Sequence, residues 1–127
     1  MKFKNFILIK FIFIFIFLIN SNEAKTEDCD TTVSSSLTSQ LECTDDDTLN
    51  ITINGSVVKT GADTIHAKSH SDVTIDNKGT ISASTNQAIN MQHAVNSTVT
   101  NSGTIEATLR NATVSYTHLT LPTRSTV

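Results

Sequence analysis

The chain has 127 residues and a formal net charge of −3, with 9 Lys and Arg against 12 Asp and Glu. Its basic residues are scattered, so it lacks the positive patch of a nucleic-acid-binding protein, and we expect no nucleic-acid partner. All six Phe residues precede Asn20, and the remainder is rich in Thr, Ser, Asn and Asp. Any core beyond the N-terminus must therefore be built mainly from Ile and Val.

The N-terminus is typical of a secretory signal peptide. Lys2 and Lys4 give it a basic start, and an unbroken run of Phe, Ile and Leu extends from Phe11 to Ile19. A transmembrane helix needs about 20 predominantly apolar residues, so this run favours a signal peptide over the alternative, an uncleaved anchor. We expect a signal helix over residues 1–24, cleavage after Ala24 and export of the remainder.

Cys29 and Cys43 are the two cysteines of the chain. In an exported protein, an isolated pair forms a disulfide more often than a metal site or a reactive thiol. A zinc site would need further Cys or His ligands at local spacing, and none lie nearby. We predict a structural disulfide between these two residues.

Residues 49–113 repeat about every 24 residues, a period within the range of stacked repeat architectures. Gly55, Gly79 and Gly103 are evenly spaced, and the same register aligns apolar residues on both sides of each glycine. These aligned residues are Ile51, Ile75 and Val99 four positions before the glycines, and Val57, Ile81 and Ile105 two positions after them. Agreement at several positions in three copies indicates a genuine repeat.

The chemistry of the repeat favours strands. Leu49–Ile53, Val73–Ile75 and Thr98–Thr100 alternate apolar or β-branched residues with polar ones. The segment Asn86–Val95 could pass for a short helix, but we prefer a strand there. Each repeat glycine stands between two short strands, where we predict a corner with positive φ.

One such unit cannot bury its own apolar side chains. Ordering its backbone costs about 1–2 kcal/mol per residue, whereas each buried Ile or Val returns only about 1.5–3 kcal/mol. Stacked coils about 4.8 Å apart would share a core, with Ile51 on Ile75 on Val99 and the second apolar series aligned in the same way. We predict an all-β fold, a parallel β-solenoid of about 24-residue coils.

Two asparagines have a predicted role inside the stack. Asn77 and Asn101 occupy equivalent positions two residues before a repeat glycine. Stacked side-chain amides can hydrogen-bond along the stack, as they do in cross-β structures. We predict an amide ladder of these two residues, which Ile53 breaks in the first coil.

Two segments resemble a known family. Asp76–Ser84 (DNKGTISAS) and Thr100–Thr108 (TNSGTIEAT) are similar to the repeats of passenger domains in bacterial autotransporters and related surface adhesins. The resemblance covers about residues 49–113. It implies a right-handed parallel β-helix, exported through the periplasm of a Gram-negative-type bacterium and carried to the cell surface by a C-terminal β-barrel.

The resemblance also implies that residues 25–48 form an N-terminal cap. The Cys29–Cys43 disulfide would hold this cap closed over the end of the β-helix, whose unpaired edges would otherwise recruit another chain. The run Asp45–Asp47 would add charge that discourages such pairing. Calcium is the alternative for this run, but its carboxylates are consecutive and lack the glycine of a calcium loop.

Other polar residues offer weak signals for a metal site or a catalytic centre. His66, His70 and His93 with Asp72 suggest zinc, but the period does not stack His93 on the other two, and no HExxH motif occurs. We expect surface residues here, and neither a metal nor another cofactor. No serine stands in a GxSxG motif, which gives nucleophilic catalysis no support.

Two functions are compatible with this pattern. The favoured one is a structural and binding scaffold without enzymatic activity, whose loops near Ala67–Asp72 and Met91–Asn96 project from the stack and contact cell surfaces or glycans. Such a scaffold would contact the membrane only through the C-terminal β-barrel that the resemblance implies. The alternative is an exported polysaccharide lyase or hydrolase with its active site further downstream, for which Asp63, Asp72 and Asp76 are candidate carboxylates.

The last residues have a different origin in our interpretation. Val114–Thr123 (VSYTHLTLPT) resembles the translation of a transposase adapter used in short-read sequencing libraries. We expect residues 114–127 to be an artefact and the natural chain, an N-terminal fragment of a longer protein, to run to about Ala112.

Overall fold

The computed structural model describes residues 25–115, and all regular structure in this range is β-strand. The predicted signal helix and the segment after Ser115 lie outside the described residues. The strands are β1 (Thr26–Asp28), β2 (Thr32–Val33), β3 (Ser36–Leu37), β4 (Gln40–Glu42), β5 (Thr48–Ile51), β6 (Ser56–Lys59), β7 (Ile65–His66), β8 (Thr74–Asn77), β9 (Thr80–Ala83), β10 (Ile89–Met91), β11 (Thr98–Asn101), β12 (Thr104–Ala107) and β13 (Thr113–Ser115).

The strands form three parallel sheets. Sheet A contains β1, β4, β7, β10 and β13, sheet B contains β2, β5, β8 and β11, and sheet C contains β3, β6, β9 and β12. Each strand therefore pairs with the strand three positions later in the chain, because every turn of the chain gives one strand to each sheet. This topology confirms the predicted β-solenoid.

The interior holds columns of apolar side chains. Sheet A aligns Leu41, Ile65 and Ile89, and sheet C aligns Val57, Ile81 and Ile105. All are fully buried except Ile105, which lies in the last complete coil and is half-buried. The predicted Val57–Ile81–Ile105 stack is confirmed.

The predicted stack of Ile51 on Ile75 is wrong by two positions. Ile75 pairs with Val99 as expected, but its partner in the preceding coil is Leu49, and Ile51 pairs with Asn77. Ile51 is nevertheless buried, because a shift of two positions keeps a strand side chain on the same face of the sheet.

Two compensating changes of length produce this shift. The corner after β5 spans residues 52–55, whereas the equivalent corner after β8 spans residues 78–79. In return, the loop before β5 (residues 43–47) is shorter by the same amount than the loop before β8 (residues 67–73). The spacing between paired residues is therefore the same for β4 with β7 on sheet A and for β6 with β9 on sheet C, while the pairing of β5 with β8 on sheet B is offset.

The segment predicted to be a cap contributes a smaller first coil. Its strands β2 and β3 pair with β5 and β6, and β1 pairs with β4. Ser56 pairs with Ser36 of this coil and with Thr80 of the following one. Fewer residues separate Ser56 from Ser36 than from Thr80, so the first coil is the shorter one. At the other end, β13 starts a further turn with Thr113 paired to Ile89.

The repeat glycines are required for a reason other than the predicted positive φ. Gly61 is the glycine with a left-handed backbone, at φ 86°, whereas Gly55, Gly79 and Gly103 lie outside that region. A Cβ at Gly79 would overlap the carbonyl oxygen of Gly55, and a Cβ at Gly103 would overlap that of Gly79. Glycine is therefore needed here because the backbones of successive coils approach closely.

We predict that Gly79→Ala lowers the free energy of unfolding by about 1–3 kcal/mol. The new methyl group would lie 3.0 Å from the carbonyl carbon of Gly55, and relieving this overlap must separate two coils. The matched control is Gly61→Asn, because Gly61 has open space around it and Asn tolerates a left-handed backbone. Urea denaturation of both variants is the measurement, and equal stability of Gly79→Ala and the unmodified chain would contradict the close approach.

The predicted amide ladder of Asn77 and Asn101 is present. The Nδ2 atom of Asn77 donates hydrogen bonds to Oδ1 of Asn101 (2.8 Å) and to the carbonyl oxygen of Thr104 (3.0 Å). Its Oδ1 atom accepts a hydrogen bond from the backbone nitrogen of Gly79 (3.2 Å). The residue beneath Asn77 is Ile51, not the expected Ile53, which is 80% exposed.

We predict that Asn77→Leu lowers the free energy of unfolding by about 2–4 kcal/mol, because it removes the hydrogen-bond partners of the Gly79 N–H and the Thr104 carbonyl inside the stack. Asn101→Leu is the control at the exposed end of the same ladder, where water can replace the lost amide. Thermal unfolding of the two variants tests this difference. If Asn101→Leu lowered stability as much as Asn77→Leu, burial of the amide would not explain the destabilisation.

Candidate functional site

The predicted disulfide joins the first two coils. Cys29 and Cys43 are fully buried, and their sulfur atoms are 1.98 Å apart. Cys29 follows β1 and Cys43 follows β4, so the bond lies beside the first pairing of sheet A. Closing a loop of this length stabilises a protein by about 3 kcal/mol on a chain-entropy model. The smallest coil is thus held covalently.

A polar side chain lies where the core column of sheet A ends. Glu27 pairs with Leu41, whose side chain starts the buried column. The carboxylate of Glu27 accepts hydrogen bonds from Nζ of Lys25 (2.8 Å) and Oγ of Ser39 (3.0 Å). The Lys25 contact is the main cause that holds the pKa of Glu27 below its ordinary value of 4.5. The first coil therefore covers the apolar interior with satisfied polar groups.

The loops between sheets A and B belong to the hydrogen-bonded stack. The backbone nitrogens of Ala67 and Ser69 donate to Asn90 and Gln92 in the next coil, each at 2.8 Å. The tightest turns have a positive φ at Asp46, Ser69, Asp72, His93 and Asn96. The loops that were expected to project are therefore hydrogen-bonded to one another from coil to coil.

The three consecutive aspartates have three separate positions. Asp45 accepts a hydrogen bond from the backbone nitrogen of Ser71 (2.8 Å) and contacts Nδ1 of His70 at 3.2 Å. Asp46 has a left-handed backbone, and Asp47 is buried, accepting a hydrogen bond from the backbone nitrogen of Thr44 (2.6 Å). Asp45 thus ties one coil to the next, whereas Asp47 closes its own loop.

A buried carboxylate organises the outer face of sheet A. Asp63 accepts a hydrogen bond from Nδ2 of Asn90 (2.7 Å) and from the backbone nitrogen of Gln87 (3.3 Å), and it contacts Nδ1 of His66 at 3.1 Å. On the other side of the ring, Nε2 of His66 is 4.0 Å from Oε1 of Glu42. Glu42, His66 and Asn90 stand in register on three successive strands, so this cluster connects three coils.

These polar groups do not converge on a metal or on a shared reaction centre. Within residues 25–115, no group of three or more His, Cys, Asp or Glu side chains could hold a metal ion. His66 and His70 each face a different carboxylate of the preceding coil. The candidate carboxylates are also apart in the fold, with Asp63 before sheet A, Asp72 in a loop and Asp76 on sheet B.

Sheet B presents an array of hydroxyl groups that sequence reasoning missed. Thr48, Thr74 and Thr98 pair in register on successive strands, and all three point outward and are exposed. A second outward column stands two positions further along the strands. We call the two columns together the hydroxyl face, and it consists of Thr48, Thr74, Thr98, Thr32, Asn50, Asp76 and Thr100.

The signal for this face was visible in part. A Thr opens each of the segments Thr48–Ile51, Thr74–Asn77 and Thr98–Asn101, just before a buried apolar residue. The step from the first of these threonines to the second is longer than the step from the second to the third, so a fixed period does not align them. Only the strand pairing shows that they form one column.

Two cavities lie away from the threonines of the first column. One of about 460 Å³ is lined by Thr85, Gln87, Leu109, Arg110 and Asn111, at the corner that precedes sheet A in the last coils. The other, of about 170 Å³, lies against the first coil and includes Glu27 and residues 31–37. Neither cavity borders Asp63, His66 or the threonines that open β5, β8 and β11.

Comparison with known proteins gives no relative: no family model, no curated protein and no solved structure matches the chain. In residues 25–115, no helix is long and apolar enough to cross a lipid bilayer. Function must therefore be argued from the geometry of the solenoid and from the residues that it exposes.

We predict that acidification weakens the fold at the contact of Asp45. The hydrogen bond from the backbone of Ser71, followed by the contact with His70, lowers the pKa of Asp45 from its ordinary value of 3.8. A carboxylate whose pKa is lowered on folding contributes stability above its unfolded pKa, and this contribution is lost as the pH falls through the folded pKa. Glu27 acts in the same direction. The free energy of unfolding should therefore fall as the pH drops below about 4.

Urea denaturation of Asp45→Asn between about pH 6 and pH 3 is the measurement, and this variant should lose less stability on acidification than the unmodified chain. Asp46→Asn is the matched control, because the neighbouring carboxylate has no hydrogen bond to the next coil within the described residues. An identical pH dependence for Asp45→Asn and the unmodified chain would remove Asp45 as a contributor.

Proposed function

We propose that this chain is part of an exported β-solenoid scaffold of the passenger type, which displays regularly spaced side chains at the cell surface or after secretion. The observation that carries the proposal is the in-register stack of coils, joined at its first turn by a buried disulfide. A stack of this kind gives an elongated surface on which one set of outward positions recurs in every coil.

Export is supported by two independent features. The Cys29–Cys43 bond belongs in an oxidising compartment, since the cytosol keeps most thiols reduced. The basic start and short apolar run before Asn20 have the character of a secretory signal. Periplasmic passage followed by surface display or secretion agrees with both features.

The passenger assignment is supported by the position of the resembling segments. Asp76–Ser84 spans the end of β8, the glycine corner and β9, and Thr100–Thr108 spans the same unit one coil later. The Asn and Gly of each segment form the amide ladder and the close backbone approach. The similarity to passenger repeats thus falls on the residues that determine coil geometry.

A scaffold agrees better than an enzyme with how the polar groups are used. The carboxylate of Asp63 is occupied by its own coil and by Asn90 of the next coil. Asp76 is paired with Nζ of Lys78 at 2.8 Å. These two candidate catalytic groups therefore act as structural contacts, and the proposal assigns no catalytic role to the described residues.

Expression of the full chain in a Gram-negative host tests the proposal. We expect a periplasmic product that lacks about the first 24 residues and carries the Cys29–Cys43 disulfide. N-terminal sequencing, and mass spectrometry with and without thiol alkylation, measure both properties. The control is deletion of residues 11–19, which should leave the protein in the cytoplasm with reduced cysteines.

A wild-type chain that stays cytoplasmic and uncleaved would contradict the proposal. The sequence of the gene beyond the repeats separates a passenger from the enzyme alternative. Further coils followed by alternating barrel strands are expected for the passenger, whereas Asp, Arg and Lys clustered on one face of the added coils would favour a polysaccharide-degrading enzyme.

A further inference from the structure

The hydroxyl face of sheet B carries a regular array of unused hydrogen-bonding groups. Its first column, Thr48, Thr74 and Thr98, repeats one hydroxyl group in each of three successive coils. None of these hydroxyls hydrogen-bonds to another group of residues 25–115, and all three side chains are exposed. A hydroxyl group is both a donor and an acceptor, so the column offers both functions at a regular spacing.

The charge of this face is low compared with the rest of the molecule. Asp76 is the one carboxylate among its residues and is paired with Nζ of Lys78 at 2.8 Å. The neighbouring carboxylate of Asp30 accepts a hydrogen bond from the backbone nitrogen of Thr48 (3.1 Å). By contrast, the outer side of sheet A aligns Asp28 with Glu42, and the neighbouring loop contains Asp45 and Asp46. The chain as a whole has a net charge of −3. An acidic polymer would be repelled by the molecule, whereas a neutral polar ligand fits the hydroxyl face.

The shape of the array indicates a long ligand. Enclosed pockets suit compact small molecules, and the two cavities described above do not include the threonines of the first column. Coils stack about 4.8 Å apart along the axis, which is close to the length of one sugar in an extended β-1,4-linked chain. A glycan lying along the axis could therefore place successive sugars over successive threonines.

We propose that the hydroxyl face binds a neutral, extended β-linked polysaccharide, with about one sugar over each coil. This rests on the proposed surface scaffold and names the chemistry of its partner. Residues 25–115 contain no Phe, Tyr or Trp on which a sugar ring could stack. The outward groups of a single coil therefore bind weakly, and affinity comes from many coils that contact one polymer.

The binding test uses the purified full chain with its disulfide intact and cellohexaose as the probe, measured by nuclear magnetic resonance titration. We expect shifts at the backbone amides of β5, β8 and β11, and weaker binding of cellobiose, which spans fewer coils. Hexagalacturonate, an acidic hexasaccharide, should bind at least about 10-fold more weakly than cellohexaose because of repulsion by the acidic chain.

The matched variants remove two hydroxyl groups from sheet B or two from sheet C. Thr74→Val with Thr98→Val should weaken cellohexaose binding about 10-fold, since two hydrogen bonds per chain are lost. Thr80→Val with Thr104→Val is the control, because these paired threonines point outward from sheet C in the same two coils. Valine keeps the β-branched shape that suits a strand. Thr74→Ser with Thr98→Ser keeps the hydroxyls and should keep binding.

Several results would overturn the proposal. These are an absence of cellohexaose binding, equal losses in the two valine double variants, and tighter binding of hexagalacturonate. Because binding is measured on purified protein, its failure would leave the export result intact. Failure of export would likewise leave a positive binding result as a property of the isolated solenoid.

Discussion

Backbone hydrogen bonds between successive coils govern every part of this solenoid. Parallel pairing continues through three sheets and into the loops between sheets A and B, where Ala67 and Ser69 also donate to the next coil. The pairing sets the coil spacing at about 4.8 Å. Each position of one coil must then tolerate the same position of its neighbours, whether it lies in the core, at a corner or on the surface.

This pairing acts differently in each of these places. In the core it stacks apolar side chains such as Val57 and Ile81, so that neither coil needs to bury them alone. At the corner it leaves no room for a Cβ between Gly55 and Gly79. On the surface it aligns Thr74 with Thr98 and so converts a modest local preference for threonine into an array. The pairing of successive coils therefore accounts for the stability of the core, for the glycines at the corners and for the proposed ligand chemistry.

The first coil lacks the stacking contacts that stabilise the inner coils, and other interactions replace them. The first coil has no coil beneath it within the described residues, and it is the smallest, with two strands of two residues each. A buried disulfide and the hydrogen-bonded carboxylate of Glu27 there replace the apolar neighbours that inner coils possess. The polar contacts of Asp45 and Asp63 then join the next coils, which explains why these carboxylates have structural partners.

The regular period of residue types was enough to predict the solenoid class and the approximate coil length. It also predicted the Asn77–Asn101 ladder and the Val57–Ile81–Ile105 column. The isolated cysteine pair was enough to predict the disulfide. The register of Ile51, the role of the repeat glycines and the hydroxyl face emerged only from the folded coils. Two opposite length changes cancel within one coil, and a shift of two positions preserves the inward or outward direction of every side chain. Neither change leaves a trace in hydrophobic alternation, so only the pairing of strands reveals which residues are neighbours.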